Sequence, residues 1–356
     1  MASIELRSIT FRRPELAVFD DLDLVVEDGE LLAVVGPSGA GKSSLLRIIA
    51  GLEESDAGVV LIGGEDVTGL SPSDRKVAMV FQENALIPFK DVRHNVAFPL
   101  EIGGTPKGEV AARVEAEARV LTIAHLLERM PHQLAAGHQQ LVQAARALVR
   151  VPEVFLMDEP LARLDAHLRV LVRRELRLLQ SGYGVTTVWV TNDGQEAMAI
   201  ADRMAVLDRG RIDQVGRPLE LYATPATMTV AELIGSPPMS FAPARVVPDP
   251  PGCWIEVGPL RIRGWTPDLT GGGRRDVVVG VRAEDVIADP AGTPMRVTAM
   301  ENLGSHGFAL LQADDITVRM RVNAPPVVGE ASRVRMRVIH VFDPSTGRAL
   351  GHIETG

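Results

Sequence analysis

Residues Gly36-Pro37-Ser38-Gly39-Ala40-Gly41-Lys42-Ser43 constrain the fold of this chain more than any other segment, because the apolar run Leu31 to Val35 precedes them and a helical pattern begins at Ser44. A strand that feeds a glycine-rich turn and then opens a helix points successive backbone N–H groups at one spot. The helix N-terminus adds a potential favourable to anions. The glycines let backbone approach a phosphate closely, Lys42 has the reach for the β- and γ-phosphates of a triphosphate, and the Ser43 hydroxyl suits Mg²⁺. The whole segment, with Ser44, predicts a phosphate-binding loop on an α/β sheet.

A second segment supplies acid–base chemistry. Val154-Phe155-Leu156-Met157 reads as a buried parallel strand, and Asp158-Glu159 follows it directly. That places two carboxylates at the C-terminal edge of a sheet, where α/β folds keep their ligands. Asp158 suits the inner or outer shell of a metal ion. Glu159 is placed to accept a proton from, or to orient, a water attacking a γ-phosphate.

Composition narrows the classes. With 356 residues, 46% of them hydrophobic, the chain has material for two or three packed domains. No apolar run approaches the roughly 18 residues a membrane span needs, and Met1-Ala2-Ser3-Ile4-Glu5 has neither the basic start nor the apolar block of a signal peptide. A soluble, cytosolic chain is expected. The single cysteine, Cys253, excludes an internal disulfide framework and reads as a small buried residue. A net charge of −9 argues against general affinity for nucleic acid. The eight histidines show no metal-ligand spacing, and Asp314-Asp315 reads as a hairpin turn.

Residues 1 to about 235 alternate strand-like runs with longer helical patterns, the signature of a largely parallel sheet with helices on its faces. The strands expected are Ile4 to Ile9, Leu31 to Val35, Val77 to Phe81, Val154 to Met157, Thr187 to Thr191 and Met204 to Asp208. Between about 90 and 150 no strong strand appears, and Glu109 to Leu127 and Gln139 to Arg150 predict a helical subdomain over about 86–150. After Gly235 the texture changes. Ser236-Pro237-Pro238, Pro248, Pro250, Pro251 and a Gly271-Gly272-Gly273 turn separate short β-branched runs, predicting a small all-β, OB-like barrel over 236–356.

In this order, the pieces resemble the nucleotide-binding subunit of an ATP-binding cassette (ABC) transporter along essentially the whole chain. Val80-Phe81-Gln82 resembles the family's Q-loop, Leu134-Ala135-Ala136-Gly137-His138 occupies the place of its signature motif, Ala162-Arg163-Leu164-Asp165 matches its D-loop, and Val190-Thr191-Asn192-Asp193 its switch region. The segments Gly235 to Phe241, Val279 to Asp285 and His340 to Pro344 resemble the boundary and barrel of the carbohydrate-importer ATPases, the maltose and glycerol-phosphate group.

The resemblance implies ATP and Mg²⁺ as cofactors, with Ser43, Gln82 and Asp158 as metal-binding residues. Glu159, Asn192 and Gln82 become the catalytic group. The nucleotide is clamped between two cassettes, so that Ala135, Gly137, His138 and Asp165 act on a nucleotide shared with a second copy. Transmembrane permease subunits would dock near Gln82 and the Leu86 to Val92 segment, an extracytoplasmic solute-binding protein would act indirectly, and the C-terminal barrel would regulate. The chain would then sit peripherally on the cytoplasmic side of the cell membrane.

Three departures from that family pattern face the nucleotide. Ala135, Ala136 and His138 stand where the signature has serine, glycine and glutamine, and Asn192 stands where the switch has histidine. The aromatic that stacks on adenine is missing; Arg12 and Arg13 occupy its region, Phe11 is expected to face away in a strand, and Arg13 offers a guanidinium plane instead. Two readings follow: an ATPase that powers an importer, and a cassette that clamps ATP for regulation with little hydrolysis. A soluble ABC protein of DNA repair or translation fits less well, since no coiled-coil insertion, zinc module or basic surface is present.

Overall fold

The structure, a computed structural model, describes residues 2–14, 16–83, 85–264, 275–324 and 326–355. The expected Gly271 to Gly273 turn lies outside the described residues. The chain forms two compact units, Met1–Pro218 and Leu219–Gly356.

The first unit is organised by a six-stranded sheet. Its order is Arg211–Gly216, Arg203–Asp208, Leu31–Val35, Thr186–Thr191, Val154–Asp158 and Val77–Val80. Five of these strands run parallel, and Arg211–Gly216 adds an antiparallel edge. The strands Leu31–Val35, Val154–Asp158 and Thr186–Thr191 are buried at every position. A two-residue period nevertheless decides where each side chain goes. Leu31, Phe155, Met157 and Trp189 join the core shared with the helical region, whereas Leu32, Val34, Val154, Leu156, Val188 and Val190 join the core on the opposite face. The second core is closed by a four-stranded antiparallel sheet of Leu16–Val26, Ile4–Arg13, Ala57–Ile62 and Glu65–Asp66.

Strand Leu16–Val26 escaped the sequence reading. Asp20, Asp21 and Asp23 interrupt its apolar alternation, and Asp21 adopts φ +58 where register shifts occur. The opening strand also runs on to Arg13, past the expected end at Ile9. The helical region comprises Val92–Ile102, Lys107–Val120 and Ala136–Leu148. The second helix stops well short of the expected Leu127, because Thr122 takes a left-handed φ of +57 and the Ile123 amide turns back to the Ala118 carbonyl at 2.8 Å. The third begins at Ala136, three residues earlier than expected. Buried Asn95 secures the segment after Gln82 by accepting from the Ile87 amide at 2.8 Å and donating to the Ile87, Lys90 and Asp91 carbonyls.

Among the described residues, the second unit contains two antiparallel sheets that share a core. Six strands run in the order Leu260–Gly264, Gly252–Val257, Ser240–Asp249, Arg275–Val281, Val338–Phe342, Ala349–Glu354; four run Ile316–Val322, Gly307–Ala313, Val286–Asn302, Ala331–Met336. Asp314, at φ +51, sits in the tight hairpin that joins two of them. Residues 219–235 belong to this unit: buried Arg282 donates to the carbonyls of Ile234, at 2.8 Å, and Tyr222, at 2.7 Å. Cys253 is fully buried, and burial pushes its thiol pKa up. Among the described residues no helix is long and apolar enough to cross a membrane.

Gly36 is where fold and site meet. A Cβ there would lie 2.1 Å from the Leu207 carbonyl oxygen of the neighbouring strand. Backbone cannot withdraw without breaking the central sheet. Gly36→Ala is therefore expected to destabilise the protein by about 1–3 kcal/mol, read as a lowered midpoint in urea; an unchanged midpoint would contradict this packing.

Candidate active site

Strand register assembles the site. Val35 pairs with Thr191, Asp158 with Val190, and Val80 with Met157, so the residues that follow each strand emerge at one sheet edge. From that edge Glu159, Asn192 and Gln82 reach a cavity of about 520 Å³ that Gly39, Gly41, Lys42 and Ser43 also line. Gly41 adopts φ +102, and a Cβ there would press Phe19 and Val18 at 2.8 and 2.9 Å. Only glycine turns the chain into helix Lys42–Ala50 at this point.

Lys42 is 5% exposed, and its ammonium donates to the Gly36 and Pro37 carbonyls, each at 2.8 Å. Burial pulls its pKa down, and the charges of Glu159 and Asp158 pull it back up. The cation is thus stored against its own loop, beside the place a phosphate would occupy. The Ser43 hydroxyl donates to Asp158 Oδ1 at 3.0 Å. Burial raises the Asp158 pKa, opposed by that hydrogen bond and by the charges of Arg47 and Lys42. A hydroxyl and a carboxylate held together are hard oxygen donors of the kind Mg²⁺ takes. Among the described residues no cluster of three or more His, Cys, Asp or Glu could hold a metal alone, so phosphate oxygens and water would complete the shell.

Glu159 adopts a left-handed φ of +44, unusual for a residue with a side chain. Two amides grip its carboxylate: Gln82 Nε2 donates to Oε2 at 2.9 Å, and Asn192 Nδ2 donates to Oε1. The carboxylate is oriented from both sides while remaining only partly buried. Of the sequence-derived residues, Gly39, Gly41, Lys42, Ser43, Ser44, Ser38, Gln82, Glu159, Asn192 and Arg13 line this cavity, and Asp158 lies behind it.

Gly36, Pro37 and Ala40 of the loop do not line it, although the Gly36 and Pro37 carbonyls accept from Lys42, and neither do Ala135, Gly137, His138 and Asp165. Ala135 is the N-cap of helix Ala136–Leu148 and offers no side-chain cap; Gly137 is buried in the first turn. The His138 ring meets His125 edge-on at 6.0 Å. Asp165 caps helix Ala166–Tyr183 by accepting from the Leu168 amide at 3.0 Å. Within one chain these four residues serve helix starts.

The outer end of the cavity holds residues that sequence reasoning missed. Leu16, Val18 and Arg47 line it beside Arg13. Arg13 donates to Ser44 Oγ at 3.1 Å and to Glu53 Oε1 at 3.2 Å, and Arg47 reaches the same Glu53 oxygen at 3.2 Å. The signal for Arg47 was its position one turn after Ser43 on the same helix face. Phe11 instead packs toward the core near Phe19, where register shifts break the strand's alternation.

A phosphate loop opening a helix at the switch point of a parallel sheet, with a metal-type carboxylate and an oriented glutamate at the same edge, defines a nucleoside-triphosphate hydrolase of the cassette type. A family model described as ABC transporter matches residues 19–162. The sn-glycerol-3-phosphate import ATP-binding protein UgpC of Ruegeria pomeroyi is 42% identical over 98% of this chain and 99% of its own length. The trehalose/maltose import ATP-binding protein MalK of Thermococcus litoralis is 40% identical over 98% of this chain and all of its own. Among solved structures, the ATP-binding cassette MJ0796, in a dimeric post-hydrolysis state with ADP and Pi, superposes with TM-score 0.54 at 28% identity, covering 60% of this chain and 98% of its own. The chain belongs to the family of ABC transporter ATP-binding proteins. It is an ATP-binding subunit with ATPase chemistry.

Two substitutions probe the site. Asn192→Ala removes one of the two donors on Glu159 and is expected to lower the turnover number by about 10- to 100-fold with KM for ATP little changed, measured by steady-state phosphate release. A rise in KM with turnover unchanged would instead assign Asn192 to binding. Ala135→Ser supplies the missing cap to helix Ala136–Leu148 and should stabilise the chain by about 1 kcal/mol, read from denaturant melting; no gain would show that another group already satisfies the helix start.

Proposed function

We propose that this chain powers an importer of sugars or oligosaccharides, working as a pair of cassettes bound to membrane-embedded permease subunits at the cytoplasmic face. What carries the proposal is full-length similarity: relatives named as import ATP-binding proteins for glycerol phosphate and for trehalose and maltose align with both units and not the cassette alone.

The roles follow from the geometry. Lys42 would leave the Gly36 and Pro37 carbonyls for the β- and γ-phosphates, while the loop amides hold the remaining oxygens. Ser43 and Asp158, with Gln82 close by, would hold Mg²⁺, which when bound neutralises charge on the transferring phosphoryl group. Glu159 takes a proton from, or orients, the attacking water, and Gln82 and Asn192 fix its carboxylate for that task. Arg13 and Leu16 offer a flat cation and an apolar contact for the base. The helix starting after Ala135 and the loop at Asp165 would meet the nucleotide of a second copy, consistent with their absence from the cavity of their own chain. The hydrolysing reading is preferred to a purely regulatory one because Asn192 already supplies a donor where the family's histidine is missing. The second unit would regulate.

Docking of membrane subunits has a candidate contact. Phe89 is 77% exposed on the segment that Asn95 and Arg146 secure, Arg146 through the Ala85 carbonyl at 2.7 Å. An anchored loop with an exposed apolar side chain suits a protein partner. In a pull-down from native membranes, this chain is expected to recover a permease together with its solute-binding protein. Phe89→Asp should weaken that recovery by about 30-fold, the cost of losing a roughly 2 kcal/mol anchor. Recovery of soluble partners alone would overturn the importer reading.

A further inference from the structure

Arg169 lies in the first turn of helix Ala166–Tyr183, outside the nucleotide cavity, and joins two loops that the site depends on. One arm of its guanidinium, Nη2, donates to the Leu164 carbonyl at 3.3 Å, one residue before the helix-capping Asp165. The other, Nη1, reaches Asp193 Oδ2 at 3.4 Å. Its Nε is buried without a hydrogen-bond partner, so that nitrogen has given up its hydration where the side chain stands.

Asp193 is already committed on its other oxygen. Oδ1 accepts from the amides of Gln195 at 2.9 Å and Glu196 at 3.1 Å, capping helix Gly194–Ile200, and the Asp193 amide donates to Thr191 Oγ1 at 3.1 Å. Below the turn, Trp189 donates to buried Glu196 at 2.7 Å. Asp193 is thus held on both carboxylate oxygens and at its amide, and the turn it anchors presents Asn192, whose amide grips the Glu159 carboxylate.

We infer that Arg169 is a positioning residue for hydrolysis: it sets the Asp193 turn, and through Asn192 the direction of Glu159, while linking that turn to the Asp165 loop. The inference rests on the reading of Glu159 as the group that acts on the attacking water. A carboxylate displaced by about 1 Å loses on the order of 100-fold in rate, so a modest loosening of the turn has a large kinetic effect. Nucleotide binding, carried by the Gly36 to Ser43 loop, is untouched.

The test is a double-mutant cycle on the full-length chain, with turnover number and KM for ATP measured separately. Arg169→Met is expected to lower turnover about tenfold with KM changed less than about threefold. Arg169→Lys should restore part of the loss, since an ammonium can reach Asp193 but cannot hold both acceptors at once. In an Asn192→Ala background, Arg169→Met should change turnover less than about twofold, because the path it acts through is gone. A full tenfold loss in that background overturns the proposal, as does a KM that rises in step with the fall in turnover. If Asn192→Ala alone leaves turnover unchanged, the reading of the site fails with it; if Asn192→Ala slows hydrolysis and Arg169→Met does not, only the role of Arg169 fails.

Discussion

The carboxylate of Glu159, suspended between the side-chain amides of Gln82 and Asn192, is the interaction on which the rest of the site depends. It needs three separate strands to end in register, since Glu159 follows Val154–Asp158, Gln82 follows Val77–Val80 and Asn192 follows Thr186–Thr191. The left-handed backbone at Glu159 turns the side chain back over that edge at some conformational cost. The fully buried central strands offset the cost. Their alternating side chains lock each strand into two cores, so none can slip without moving apolar groups from one core to the other.

Binding and chemistry are carried by different parts of the same edge. The loop with Lys42 and Ser43 is shaped for anions, and its ammonium rests on the Gly36 and Pro37 carbonyls. In the proposed function the amide pair and Glu159 act at the far phosphate. This separation explains how Asn192 serves where the family carries histidine: an amide orients a carboxylate by donating to it, and orientation does not require a charge. The same logic treats Ala135 more severely, because a methyl group can neither cap its helix nor reach a phosphate.

Local features were legible in the sequence and long-range ones were not. The phosphate loop is contiguous, and both its flanking strand and its helix carry their own periodicities, so Leu31–Val35 and the helix at Lys42 could be placed from residues alone. The Asp158-Glu159 pair was legible for the same reason. Strand Leu16–Val26 was hidden because three aspartates on its exposed face break the apolar pattern. The end of helix Lys107–Val120 was hidden because Thr122 stops it by backbone conformation rather than composition. The network of Arg13, Ser44, Glu53 and Arg47 spans 40 residues of chain, and no spacing rule announces it. Ala135, Gly137, His138 and Asp165 entered through family resemblance; within one chain they are helix starts, and their link to nucleotide needs a second copy.

In the proposed function Glu159 acts on the attacking water while the loop at Lys42 holds the nucleotide. Single-turnover hydrolysis of ATP by Glu159→Gln, followed alongside nucleotide affinity, tests it most directly. Glutamine keeps the size of the side chain and removes its basicity. Hydrolysis is expected to slow by at least about 100-fold with ATP still bound as tightly as by the parent chain. Hydrolysis at the parent rate, or loss of ATP binding in a folded variant, would contradict it.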